Sequence, residues 1–237
     1  MTNYAVITAG GRGERLPGDC KKQFMRLGGV PLFLWPVARF LRHPQVGRVV
    51  LVLPKDDYGL GRELLEDELL CLDPGFADRL WFTFGGSTRQ QSVLNGLQMC
   101  PADADLVLIH DGVRPFVDDD DITRLLVAAG QTGAAIPVRA VKHTVKEVQG
   151  DRITRTLDRA NLVEVFTPQV FRYAHIMACH QRARADGLDL TDDAGLCERY
   201  GYPVAAVRVS ADNIKITDPV DLLLAEQLVR QRGEKLL

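Results

Sequence analysis

The sequence predicts an α/β chain built on a mostly parallel twisted sheet, with a protruding β-hairpin arm. Two observations carry that expectation. Short apolar runs at residues 4–9, 48–53, 80–84, 106–110 and 134–138 alternate with segments of helical periodicity, the pattern of strands covered on both faces by helices. Between residues 141 and 158 the pattern changes to two polar, alternating stretches around Gln149-Gly150-Asp151, a hairpin with no core of its own. At 237 residues the chain suits one domain, 1–237, carrying that arm, and is long enough to bury a substantial core.

The elements follow in order. Residues 4–9 are apolar and partly β-branched, as a buried strand requires. A helix is expected at 31–43, with Pro31 in its first turn, where a missing N–H matters little, and Pro36 setting a late start or a kink. Further helices are expected at 61–70, 88–99, 122–129, 172–184, 192–200 and 219–231, the last opened by Pro219. The acidic run Asp118 to Asp121 reads as a solvated helix cap, and Thr191-Asp192-Asp193 as another helix start. The 141–158 arm needs a partner, and a second copy of the same arm is the economical one, so a homodimer is expected.

Composition excludes several classes. Hydrophobic content of 46% and charged content of 25% are ordinary for a soluble enzyme, and a net charge of -2 gives no general attraction to nucleic acid. Five cysteines, odd in number and without a CxxC pair, point to reduced thiols and neither a disulfide framework nor a zinc site. No apolar run is long enough to span a bilayer, and the first residues lack the features of a signal peptide. The expected location is the cytoplasm, with no membrane or nucleic-acid partner.

Chemistry concentrates after the first strand. Gly10, Gly11 and Gly13 let backbone N–H groups approach an anion without a Cβ in the way, and Arg12, Arg15, Lys21 and Lys22 supply countercharge, an arrangement suited to a polyphosphate. No Gly-Lys-Ser/Thr closes the turn and helical periodicity does not follow its last glycine, so it is neither a Walker A loop nor a dinucleotide fingerprint. It resembles instead the Ala-Gly-Gly-x-Gly-x-Arg signature of sugar-phosphate nucleotidyltransferases, whose fold is Rossmann-like.

Five segments carry a closer resemblance. They are 9–23; Gly85-Gly86-Ser87-Thr88-Arg89-Gln90-Gln91-Ser92-Val93; His110-Asp111-Gly112-Val113-Arg114-Pro115; Asp158-Arg159 with Thr167-Pro168-Gln169; and Asp212-Asn213-Ile214-Lys215-Ile216-Thr217. In this order over the full length, the chain resembles the 2-C-methyl-D-erythritol 4-phosphate cytidylyltransferase family of the isoprenoid pathway. The resemblance implies CMP transfer from CTP to a polyol phosphate, with pyrophosphate released. It implies Arg15, Lys22 and Lys215 at the reacting phosphorus, with Lys21 competing for the role of Lys22. Ala9, Gly10, Gly11, Gly13, Gly86, Arg89, Ser92 and Gly112 would bind the nucleotide, though Arg89 equally reads as a helix-surface residue. Arg114, Thr144, Arg159 and Thr167 would hold the alcohol phosphate, with Thr144 and Arg159 on or beside the arm of a neighbouring subunit. Asp111, at a strand's carboxyl end, and Asp212 would face Mg2+, a hard cation that bridges phosphates; Asp212 equally reads as a capping residue.

Four positions depart from the family pattern: Thr8 and Lys21 replace prolines, Gly112 an alanine, and His143 the aspartate that normally precedes Thr144. The last bears on the acceptor and keeps a sister activity, ribitol-5-phosphate cytidylyltransferase, in view. A catalytically silent nucleotide-binding relative is the third reading, opposed by the joint presence of Arg15, Lys22, Asp111 and Lys215.

Overall fold

The computed structural model describes residues 2–10, 21–209 and 212–233. Gly11, Gly13 and Arg15 lie outside the described residues. Apolar strand β1 (Tyr4–Thr8) is followed by a 3-10 turn at Lys22–Phe24 and a small hairpin, β2 (Arg26–Leu27) and β3 (Val30–Pro31). Then come α1 (Leu34–Arg42), β4 (Arg48–Leu53), α2 (Tyr58–Leu65), β5 (Leu80–Phe84), α3 (Arg89–Leu97) and β6 (Leu106–Asp111). The chain continues through α4 (Asp119–Thr132), β7 (Ala134–Ala140), the hairpin β8 (Lys146–Gln149) and β9 (Arg152–Thr156), then β10 (Val163–Val165) and β11 (Gln169–Arg172). It closes with α5 (Tyr173–Asp186), α6 (Asp193–Arg199), β12 (Ala205–Arg208) and α7 (Pro219–Arg232).

The main sheet runs β10-β7-β11-β6-β1-β4-β5, with β12 on the other edge of β7. β5, β4, β1 and β6 are mutually parallel, while β11 is inserted antiparallel between β6 and β7. Side-chain alternation divides the core. Ala5 and Ile7 of β1 point to a cluster with α1, α4 and α7, whereas Tyr4 and Val6 point to a cluster with α3, α5 and α6. Both faces of β4, β1 and β6 are therefore buried, which is why they read as continuous apolar runs, whereas β5 at the sheet edge is fully buried only at Leu80.

The expected strands at 48–53 and 80–84 stand as β4 and β5. The helix expected from Pro31 begins instead at Leu34, because Gly28 and Gly29, both at positive φ, turn the chain into the β2–β3 hairpin that pairs Pro31 with Arg26. Pro36 falls in the first turn of α1, so the late start is the alternative that holds. Past Leu65, α2 widens into one π-type turn at Glu66–Leu70. Asp118 does cap α4, accepting from the Asp120 N–H, but Asp121 is buried and pairs with Arg124. The arm is an antiparallel pair with Gly150 at positive φ in its turn, and its cross-strand partners Val148 and Ile153 are 63% and 65% exposed.

Helix α3 packs on the sheet through Gly96. A Cβ there would collide with Val6 Cγ1 and come within 3.1 Å of Val52 Cγ2, both on buried β-branched residues with no freedom to withdraw. Gly96→Ala is therefore expected to destabilise the fold by about 1–3 kcal/mol, read as a lower denaturation midpoint; an unchanged midpoint would contradict this packing.

Candidate active site

A cavity of about 310 Å3 opens at the carboxyl ends of the parallel strands, where ligands of open α/β sheets gather. Its wall comes from five stretches of chain: Thr8 at the end of β1 with Ala9 and Gly10 after it; Lys22 and Gln23 on the 3-10 turn; Gly86 to Arg89 with Ser92 at the start of α3; Asp111 at the end of β6 with Val113 after it; and Lys215. Each segment is anchored from behind. Phe24 is buried edge-to-face on Phe33, and the Phe33 N–H donates to the Gln23 carbonyl, which holds the turn bearing Lys22. Lys21 points elsewhere, into an ion pair with Asp57, so the structure brings Lys22 to the cavity and not its neighbour. Lys215 precedes Ile216, which is fully buried and donates its N–H to the Val113 carbonyl.

The start of α3 is shaped by its own side chains. Thr88 caps the helix, accepting from the Gln91 N–H. Ser92 accepts from the Gly86 N–H at 3.0 Å and donates to the Thr88 carbonyl at 2.9 Å. Its hydroxyl thus shapes the Gly86 turn, while the residue itself stands on the cavity wall. Gly112 does not line the cavity: its N–H donates to the Thr8 carbonyl, and a Cβ would lie 3.1 Å from both that oxygen and the Ala9 Cβ. Glycine at 112 lets the turn after β6 approach β1 closely.

Asp111 is the centre of the site and, among the described residues, the one acid on the cavity wall. Lys215 Nζ lies 2.8 Å from its Oδ2, while Arg89 Nε and Arg114 Nε each lie 3.4 Å from a carboxylate oxygen. Burial alone would raise the Asp111 pKa; Arg89, Lys215 and Arg114 together outweigh it and hold the group well below the usual carboxylate range. Arg89 turns inward from the first position of α3, which settles its role against a surface residue, and its Nη1 lies 2.7 Å from Asp193 Oδ2. Burial disfavours the Arg89 charge, but Asp193 and Asp111 more than compensate and raise its pKa.

Behind Asp111 lies a hydrogen-bonded chain. His110 Nε2 is 3.0 Å from the Arg114 carbonyl, which can only accept, so Nε2 carries the proton and Nδ1 accepts from the Thr167 hydroxyl at 3.1 Å. The Thr167 oxygen in turn accepts from the Asp111 N–H. Thr167, expected to touch the alcohol phosphate, is therefore buried with its hydroxyl committed to positioning Asp111. Arg114, also expected at the alcohol phosphate, is buried off the wall, stacks over Phe166, and donates from Nη1 to the Asn213 carbonyl.

Asp212 is not on the cavity wall; Arg232, in the last turn of α7, lies 2.6 Å from it and draws the carboxylate aside. Thr144 and Arg159 are exposed at the foot of the arm and do not line this cavity, and Arg159 Nη1 donates to the Lys142 carbonyl at 2.9 Å. Sequence reading gave no site role to Asp193, His180, Gln169 or Asn213. Asp192 caps α6 as expected, but the next acid turns into the core, and nothing in a doubled aspartate says which of the two does so. Gln169 links both ends of that turn, donating to Asp192 and accepting from the Ala194 N–H.

Among the described residues, four cations, Lys22, Lys215, Arg89 and Arg114, stand on or immediately behind one wall against two carboxylates, Asp111 and Asp193. A local positive surplus at the carboxyl edge of a parallel sheet, beside a glycine-containing turn, suits a phosphate-handling enzyme, and with the glycine-rich motif before it fits the nucleotidyltransferase class that the sequence resembles. Comparison with known proteins narrows the class. A sequence profile for 2-C-methyl-D-erythritol 4-phosphate cytidylyltransferase matches residues 3–231. The enzyme of that name from Geobacillus thermodenitrificans is 42% identical over 98% of this chain and 99% of its own length. The crystal structure of the Thermus thermophilus protein of the same name is 35% identical, with a TM-score of 0.78 over 97% of this chain and 100% of that one. The 4-diphosphocytidyl-2C-methyl-D-erythritol synthase of Anaerococcus prevotii gives a TM-score of 0.84 at 28% identity, over 97% and 96%. The chain belongs to the 2-C-methyl-D-erythritol 4-phosphate cytidylyltransferase family.

His110 gives the fold a pH dependence. Burial pushes its pKa down to about 4 from an ordinary 6.5, so between those values the unfolded chain binds more protons and stability falls as pH falls. About 3 kcal/mol is expected to be lost from pH 7 to pH 4 through this group, and Asp111, whose folded pKa is depressed, adds its loss only below the ordinary carboxylate range. Denaturation series at pH 7, 5.5 and 4.5 on wild type and His110→Gln check this: the variant should start less stable but lose less on acidification, and parallel losses would refute the assignment.

Proposed function

We propose that the chain transfers CMP from CTP to 2-C-methyl-D-erythritol 4-phosphate, giving 4-diphosphocytidyl-2-C-methyl-D-erythritol and pyrophosphate. The observation that carries this reading is the cavity in which Lys22 and Lys215 flank a buried, ionised Asp111. A phosphate-monoester oxygen attacks the α-phosphorus of CTP, the bond to the bridging oxygen toward the β-phosphate breaks, and pyrophosphate leaves in line. Both reactants are anions, so the protein's task is positioning and charge neutralisation. Lys22 and Lys215 meet the charge that develops on the α-phosphoryl oxygens, and Arg89 fixes a further positive wall. Arg15, by its place in the glycine-rich motif, is assigned to the triphosphate with them. The turn at Gly85 and Gly86 offers backbone groups for a pyrimidine edge; a purine would leave such groups unpaired.

Mg2+ fits this site through one carboxylate. It commonly takes one or two protein carboxylates and completes its shell with phosphate oxygens and water; Asp111, which remains ionised throughout the neutral range, would supply that ligand. Bound there, the ion would neutralise phosphate charge and polarise phosphoryl oxygens. The arm supports a homodimer: Val148 and Ile153 on it, and Val163 and Val165 on β10, are large apolar side chains left exposed. In such a dimer Thr144 and Arg159 would serve a partner's acceptor site, Arg159 by the planar fork that suits a phosphate. No helix among the described residues is long and apolar enough to cross a membrane, and we place the enzyme in the cytoplasm.

The deciding assay is pyrophosphate release with CTP and Mg2+, comparing 2-C-methyl-D-erythritol 4-phosphate with D-ribitol 5-phosphate. Turnover with the first alone is expected; turnover with the second alone would move the chain to the sister activity. Lys22→Ala should lower kcat by about 100-fold or more with the fold intact, while Lys21→Ala, whose partner is Asp57, should change it little. Equal losses at both lysines would remove Lys22 from its role. Arg159→Ala should raise KM for the alcohol phosphate by roughly 10–100-fold and leave KM for CTP nearly unchanged; equal effects on both would contradict the acceptor assignment.

A further inference from the structure

Arg89 has a second partner, and that partner has one of its own. The guanidinium lies 2.7 Å from Asp193 but 3.4 Å from Asp111, so its tighter contact is with the residue remote from the cavity. The other oxygen of Asp193 lies 3.0 Å from His180 Nε2. His180 and Asp193 are side chains with essentially no solvent exposure, set on α5 and on the first turn of α6. The line His180, Asp193, Arg89, Asp111 thus runs from the helical layer through the start of α3 to the catalytic end of β6.

The His180 ring is oriented by one bond alone. Asp193 is an acceptor, so Nε2 bears a proton, while the buried Nδ1 makes no hydrogen bond. A buried ring nitrogen left without a partner is unfavourable, and a purely space-filling position would be met better by an apolar side chain. The one polar thing this ring does is fix the Asp193 carboxylate. That matters because a nucleotide entering the cavity competes for the cations around Asp111. Lys215 and Arg89 both line the wall, but Arg89 is the one tied to a second, buried acid.

We propose that His180, acting through Asp193, is a positioning residue that holds Arg89 in the wall of the nucleotide cavity. Fixed at its rear by Asp193, Arg89 keeps its place as the phosphates arrive and presents a preorganised charge to them. Without the histidine, Asp193 gains rotameric freedom and Arg89 is free to collapse onto Asp111, occupying the acid that the nucleotide complex needs. The inference rests on the CTP-dependent reading above.

The test measures the dissociation constant for CTP by calorimetry and the KM for each substrate in His180→Phe, His180→Gln and Arg89→Met, with the Arg89→Met/His180→Phe double variant. His180→Phe should weaken CTP about tenfold, with kcat and the KM for the alcohol phosphate nearly unchanged. His180→Gln, whose amide can donate to the same carboxylate, should recover most of the loss, and His180→Phe should add nothing once Arg89 is Met. Unchanged CTP affinity in His180→Phe, equal weakening of both substrates, no rescue by glutamine, or a further tenfold loss in the Arg89→Met background would each overturn the proposal. Should the phenylalanine variant fail to fold, Asp193→Asn should likewise weaken CTP about tenfold, and unchanged CTP affinity, equal weakening of both substrates or a further tenfold loss in the Arg89→Met background would each overturn the proposal. Wild type that binds no CTP would overturn the functional reading together with this inference; wild type that binds CTP as tightly as His180→Phe overturns the inference alone.

Discussion

The site depends on a buried carboxylate that would be untenable by itself. Asp111 sits at the end of a strand whose every residue is buried, and an isolated charge there would be strongly unfavourable. Lys215, Arg89 and Arg114 make it tenable, and each arrives from a different stretch of chain. The surrounding architecture can be read as the means of delivering these three. Arg114 is stacked over Phe166 and tied to the Asn213 carbonyl; Arg89 is held by Asp193; Lys215 is fixed by the Ile216 bond to Val113. Removing Arg114 would leave the buried Asp111 charge underpaired, which in comparable settings costs about 3–5 kcal/mol. Stability and chemistry therefore share the same residues.

That sharing explains why two residues of the resemblance turned out to lie behind the cavity. Thr167 and Arg114 belong to motifs that mark the site, yet their described contacts run to Asp111, His110, Asn213 and Phe166. A motif records that a position is constrained, and a buried hydrogen-bonded network constrains its members as tightly as a ligand does. Ser92 teaches the same point, since its hydroxyl closes the Gly86 turn.

Much of the frame was legible in the sequence because its signal is local. A strand buried on both faces must be apolar throughout, so β1, β4, β6 and β7 announced themselves; β5, half-buried at the sheet edge, was legible from its aromatic and β-branched residues, and the hairpin at 146–156 stood out by lacking a core. β10, β11 and β12 were not foreseen: they are three or four residues long, and β11 runs directly into α5 at Tyr173, so its Val170 and Phe171 look like the start of that helix. Within the site, the glycines and the motif lysine were legible because backbone approach and charge leave a mark on residue type. Asp193, His180 and the capture of Asp212 by Arg232 were not, since a pairing across distant segments is decided by the fold and leaves no spacing to read.

The antiparallel insertion of β11 between β6 and β7 has a consequence for how the molecule comes into being on the ribosome. β6 is complete at residue 111, but its neighbour on that side is not synthesised until residues 169–172, and Thr167, which orients the Asp111 backbone, arrives just before it. Asp193 follows, and Lys215 comes later still. A nascent chain can have most of its parallel strands in place and still hold Asp111 without its full set of counter-charges. The phosphate site thus closes only once Lys215 has been made, well after the parallel strands that frame it, and its parts are added in the order Thr167, Asp193, Lys215.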